Sequence, residues 1–284
     1  MTCTTFVASN AECRIGTTDT DAASERTARR AFLGISASLF AITAVLTAVW
    51  CASMAAMPEM HMPGGWTMSM TWMAMPGQTW MEAAASFIAV WVVMMAAMML
   101  PSQAPVLWRY GQAISRRGEA RVGSVTLHAG LGYFFVWTLF GFIVFPLGVV
   151  LATIEMQQPT LARAVPVTAG VVILIAGAVQ LTSWKAHHLT RCRETPARGS
   201  SLPADARTAW RQGMRFGLDC TLSCANLMTI LMVIGVMDLR AMAAVTAAIT
   251  AERLAPAGER VAHATGVVVM VTGILQIARA TRLG

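Results

Sequence analysis

Residues 91–105 read WVVMMAAMMLPSQAP. They close an apolar run of about 81–105, and about 20 apolar residues are enough for one helix to cross a bilayer. Met94/Met98 and Met95/Met99 stand four apart, so each pair stacks along one helix face. Trp91 lies one turn before Met95, and Pro101 is expected to bend the helix below the stripe. In most helices a methionine stripe is packing material, because the thioether fills irregular gaps. Here it lies inside a span, next to further soft donors.

Working outward, similar apolar runs occupy about 31–53, 124–152, 166–184, 212–237, 240–255 and 260–280. The chain has 284 residues, of which 56% are hydrophobic and 12% charged, with a mean hydropathy of +0.59. An ordinary soluble domain carries about 25% charged residues. That deficit excludes a soluble enzyme of average surface and a disordered chain. The expected fold is all-α, a polytopic transmembrane helical bundle of about six or seven spans in one domain, 31–284. The run at 240–255 is short and ends in Glu252-Arg253, so it is expected to be tilted, re-entrant or covered by its neighbours. No internal repeat is visible.

The net charge is +7 from 21 basic residues, with Lys185 the sole lysine. Most of them fall in the polar segment 1–30, the 109–121 loop, the 185–215 stretch and the 253–260 turn. Alternation of these with nearly base-free connections is a topology signal, not a nucleic-acid footprint. It predicts a cytoplasmic N-terminal tail at 1–30 and an outer loop at 54–80, in a bacterial cytoplasmic (inner) membrane. Ala28-Arg29-Arg30-Ala31-Phe32-Leu33 has the look of a twin-arginine export motif. The simpler reading is that Arg29 and Arg30 hold the first helix end at the inner face. Trp50 is a poor residue before a cleavage site at Cys51.

Six cysteines, Cys3, Cys13, Cys51, Cys192, Cys220 and Cys224, are too scattered for a disulfide scaffold. Methionine is the outlier at 21 copies, nine of them between Met54 and Met81. Thioethers select Cu(I), and imidazole also suits copper. Met60, His61 and Met62 offer three donors in a row, and Met68/Met70 and Met73/Met75 add short spacings. An interfacial segment anchored by Trp66, Trp72 and Trp80 is the competing reading.

The sharper signal is in the fifth run. Cys220, Cys224 and Met228 are spaced by four, so two thiols and a thioether share a helix face. Met232 continues the series, and Asp219 and Asn226 flank it. An ionisable residue in a span is a functional-site hypothesis. On the inner side, His188 and Cys192 are again four apart. His128 and His263 near span ends read as structural. No P-loop, dinucleotide fingerprint or H-E-x-x-H occurs, so the expected protein is not an enzyme.

Several motifs then converge. Trp91-x-x-Met94-x-x-Ala97-Met98-Met99-x-Pro101 is followed by Gly132-Tyr133 and Trp137, and by Lys185-x-x-His188-Leu189-x-x-Cys192-Arg193-x-x-Pro196. Gly217-x-x-Cys220 through Cys224, Leu227-Met228, Gly235-Val236-Met237-x-Leu239 and Glu252-Arg253-Leu254 complete the set. In this ordered set, covering about 80–275, the chain resembles an uncharacterised bacterial family of predicted metal-binding integral membrane proteins. It departs from that family's pattern where His188 replaces a Cys, Ser223 another Cys and Ala225 a Trp. The resemblance implies metal binding by a divergent member.

Together these readings predict a membrane protein that handles Cu(I). Met60, His61 and Met62 capture it outside, Met94, Met95, Met98, Met99, Cys220, Cys224 and Met228 form a mid-membrane site, and His188 and Cys192 mark the inner mouth. The alternative is an accessory subunit or assembly factor of a membrane oxidoreductase, such as a copper-dependent monooxygenase, using the glycine-bearing faces of spans three and four. Partners expected are the lipid bilayer and a membrane oxidoreductase complex or metallochaperone, without nucleic acid.

Overall fold

The computed structural model describes residues 5–56, 60–63, 65–68, 70–73, 77–116, 121–193 and 205–283, with backbone alone for 5–22, 55, 70 and 283. Met57 and Met75 lie outside the described residues, as do Cys3, Pro196 and the side chains of Cys13 and Met70.

The chain is an all-α polytopic bundle. Its helices are α1 (Thr5–Ala55), α2 (Trp80–Ser115), α3 (Val122–Gln157), α4 (Pro159–Gln180), α5 (Ser183–Arg193), α6 (Ala206–Ile234), α7 (Leu239–Leu254) and α8 (Gly258–Leu283). Six of them, α1, α2, α3, α4, α6 and α8, are long and apolar enough to cross a membrane. Local chemistry sets several ends. Thr79 and Glu82 form a reciprocal capping box at the start of α2, which satisfies amides that have no partner within the helix. Asp205 and Asp238 cap α6 and α7 by accepting from Thr208 and Ala241 amides. Pro101 and Pro105 lie within α2, which runs on through both.

The short α7 resolves the expectation set by its length. Its sixteen residues rise about 24 Å. It starts beyond Gly235, where φ is +136°, at the end of the bundle where Met237 meets Cys51 of α1. It finishes where Glu252 meets Lys185 of α5 and Arg253 meets Cys220, near the middle of α6. It therefore runs beside the half of α6 that follows Cys220, and α8 packs alongside α4.

Between α1 and α2 the methionine-rich connection forms an antiparallel hairpin, β1 (Met60–Met62) with β2 (Trp66–Met68), pairing Met60 with Met68 and Met62 with Trp66. It docks on the bundle. Trp66 Nε1 donates to the Ala162 carbonyl at 2.8 Å, and Met62 and Met68 pack with Ala152 and Ala162.

The glycine faces of α3 and α4 are used inside the chain. A Cβ on Gly132 would collide with the Trp210 carbonyl of α6, and one on Gly213 with the Ala129 carbonyl of α3. Gly170 and Gly177 of α4 meet Ile277 and Met270 of α8 with as little room for a side chain. Small residues let these helix backbones approach. These faces are therefore occupied by the chain's own helices and not left open for those of a partner.

Candidate metal centre

The core where α2, α3, α6 and α7 meet is built around sulfur. Trp91, Met94, Met95, Met98 and Met99 of α2 are all buried, as are Cys220, Cys224 and Met228 of α6. Trp91 is locked by donating its Nε1 to the Trp137 carbonyl at 2.9 Å, with Gly141 leaving room for its ring. This ring anchors the helix turn that carries Met94 and Met95.

Cys220 is the hub. It is 0% exposed, and its Sγ lies 3.9 Å from Cys224 Sγ and 4.0 Å from Met99 Sδ. The Tyr133 hydroxyl donates to the same sulfur at 3.1 Å, and Arg253 Nη1 donates to it at 3.2 Å. Cys224 donates its thiol proton to the Cys220 carbonyl at 2.8 Å. Among the described residues no three His, Cys, Asp or Glu side chains converge. The sulfur that touches the cysteine pair from another helix is the Met99 thioether.

Arg253 is 6% exposed. Its Nη1 also donates to Ser102 Oγ at 3.0 Å and its Nη2 to Gln103 Oε1 at 3.0 Å. Arginine stays protonated in proteins, and among the described residues no carboxylate pairs with it. The negative charge nearest to hand is what Cys220 can carry as a thiolate.

One step away is a second buried network. Lys185, 1% exposed, pairs with Glu252 at 2.7 Å and donates to the Ser223 carbonyl. Gln180 Nε2 donates to Glu252, and Asn226 Nδ2 donates to Gln180 Oε1 at 2.5 Å and to the Ala176 carbonyl at 3.1 Å. The pair is self-neutralising, which distinguishes it from Arg253.

Of the other expected donors, Cys192 stands beside this centre, within electrostatic reach of Cys220 and Arg253, and the rest are placed apart. On α5, Cys192 is buried against Ser223, and that burial pushes its thiol up to about 12. His188 is half-buried, with its ring 4.7 Å from Trp184 and its Nδ1 without a partner. Burial, then the adjacent His187, lower its pKa. Met60, His61 and Met62 are far from the cysteines. Trp72, after the hairpin, rests on Phe87 with ring centres 5.4 Å apart, and from Phe87 to Met99 is about 18 Å of helix.

Sequence spacing did not point to Tyr133 or Arg253 as neighbours of Cys220, or to Ser102 and Gln103 as partners of Arg253. The available signal was the presence of Lys185, Glu252 and Arg253 at the borders of apolar runs. Asp219, singled out for its place in a span, is only half-buried.

A model of a family described as PpoB2, copper chaperone, matches residues 88–276. No curated protein and no solved structure matches the chain. The match spans well over half of the sequence and includes every helix that lines the sulfur cluster, and the chain belongs to this copper chaperone family.

Proposed function

We propose that this copper chaperone family member holds Cu(I) within the membrane on Cys220, Cys224 and Met99, and passes it on by exchange between sulfur ligands. The observation that carries this reading is the sulfur spacing, 3.9 Å between the thiols and 4.0 Å from Cys220 to Met99. Three sulfurs placed about 2.3 Å from a common ion, the usual metal–thiolate length, lie about 4 Å from one another in a trigonal plane, and the two edges that meet at Cys220 have this length. Thiolate and thioether are the donors that select Cu(I).

Charge supports the same reading. Cu(I) on two thiolates carries one net negative charge. Arg253, already hydrogen-bonded to Cys220, supplies one positive charge, so the loaded centre is neutral in a medium where an isolated charge is expensive. Tyr133 holds the sulfur's direction, as outer hydrogen bonds do at metal sites.

The route follows α6. Cys220, Cys224, Met228 and Met232 recur every four residues, and Met237 lies 3.9 Å from Cys51 beyond the helix end. Met94, Met95 and Met98 line the neighbouring helix. Met60, His61 and Met62 at the hairpin end and His188 and Cys192 on α5 are the entry and exit donors in this proposal. The protein acts as a carrier, not as an enzyme.

The test is the copper content of protein solubilised in mild detergent and loaded with Cu(I) under reducing conditions. The wild type is expected to retain near-stoichiometric copper, and Cys220→Ser/Cys224→Ser to lose it while keeping its helical circular dichroism. Equal copper in both would overturn the assignment.

A further inference from the structure

At the basic end of the bundle, away from the hairpin, a cavity of about 460 Å³ opens between α1, α2, α5 and α7. Its polar wall is Arg29, Arg109, Arg193 and Arg253, one from each of these four helices, and its apolar wall includes Leu33 and Leu254. The volume falls within the range of about 300–1,000 Å³ common for small-ligand sites.

The docking of α1 that closes the cavity is specific. Phe32 packs on Trp108 with ring centres 5.4 Å apart, and Gln112 donates to Glu25 at 2.6 Å. Glu25, one turn before Arg29, is thus turned to Gln112. No carboxylate among the described residues pairs with any of the four arginines. Arg193 is spent on the carbonyls of Glu252, Ala255 and Pro256. Arg253 retains a buried Nε without a partner. Arg29 and Arg109 are exposed at the mouth, and an anion among the four guanidinium groups would offset their mutual repulsion.

We propose that this cavity binds a phosphate-class anion, the headgroup phosphate of an acidic phospholipid or a free phosphate. Guanidinium groups match phosphate oxygens in geometry and charge. Leu33 and Leu254 are exposed apolar residues on the cavity wall, which suits the glycerol and upper acyl chain of a lipid. Basic pockets between membrane helices bind acidic headgroups. The proposal goes beyond copper handling and does not depend on it.

The experiment uses the full chain in phosphatidylcholine nanodiscs with and without phosphatidylglycerol, with lipid retained after detergent extraction counted by native mass spectrometry. The thermal midpoint is followed in parallel, in phosphatidylcholine alone, with added inorganic phosphate. The wild type is expected to retain phosphatidylglycerol in preference to phosphatidylcholine. Arg29→Gln/Arg109→Gln is expected to lower that preference by about 25-fold, at about fivefold per basic side chain. Arg279→Gln/Arg282→Gln, which removes the same charge from the end of α8, is expected to leave it unchanged. A lipid preference without a phosphate response identifies a lipid site, and a shift with phosphate alone identifies a soluble anion. Neither response, or equal losses in the two double variants, overturns the proposal.

Discussion

Arg253 Nη1 lies 3.2 Å from Cys220 Sγ, joining a buried cation on α7 to a buried thiol on α6. This contact supports the proposed reading of the sulfur cluster as a metal centre. A methionine-lined core needs no guanidinium, whereas a centre that gains negative charge on loading does.

Arg253→Met keeps much of the volume and removes the charge. In the proposed centre it leaves a copper bis-thiolate uncompensated, and copper occupancy is expected to fall at least tenfold. Arg253→Lys is expected to restore part of it, because a point charge remains but the fork that bonds Ser102 and Gln103 does not. Undiminished copper in Arg253→Met, measured by elemental analysis, would refute the role of charge.

The Lys185–Glu252 pair is expected to be structural. Glu252→Gln strands a buried ammonium, and breaking such a pair costs about 3–5 kcal/mol. The double variant Lys185→Met/Glu252→Gln removes both charges and is expected to regain much of that loss. Thermal unfolding in detergent measures both, and a double variant no better than the single one would count against the pair.

Met99 and Met62 are both buried methionines but only Met99 touches Cys220. A Met→Leu change conserves volume, and such swaps cost less than about 1.5 kcal/mol. Met99→Leu is expected to weaken Cu(I) affinity by roughly tenfold with little change in stability. Met62→Leu on the hairpin is expected to leave affinity at the central site unchanged. Competition with a colorimetric Cu(I) chelator reads out both, and a larger effect from Met62 would relocate the site.

The α3–α6 seam provides a test of the fold alone. Gly213→Ala drives a Cβ into the Ala129 carbonyl, and backbone cannot yield as a flexible side chain does. The cost is expected to reach or exceed the roughly 1–3 kcal/mol of overpacking. Gly34→Ala on α1 meets nothing within 4 Å and is expected to be neutral or mildly stabilising through helix propensity. Unfolding midpoints that fail to separate the two would contradict the close approach.

Relationships between residues four apart are legible in the sequence. Cys220 and Cys224 share a face because α6 is a helix, and the Met94/Met98 and Met95/Met99 pairs share faces for the same reason. The hairpin is not legible there. Alternation in Met60–Met62 and Trp66–Met68 is only three residues long, and what orders it is the Trp66 bond to Ala162, far along the chain. The glycines of α3 and α4 read as a surface for partners, because one sequence does not say which helix a small-residue face will meet.

The amino-acid sequence by itself determined the all-α membrane architecture, the helices that are long and apolar enough to span, and the pairing of soft donors along single helices. These follow from hydropathy and from the 3.6-residue turn, both of which act over short stretches of chain. The tertiary structure decided which of those donors meet and what charge they meet beside. Met99 reaches Cys220 from α2, Arg253 reaches it from α7, Lys185 finds Glu252, and four arginines from four helices face one cavity. Such contacts depend on packing between segments far apart in sequence, where an unpaired polar group in an apolar interior costs enough free energy to select its partner.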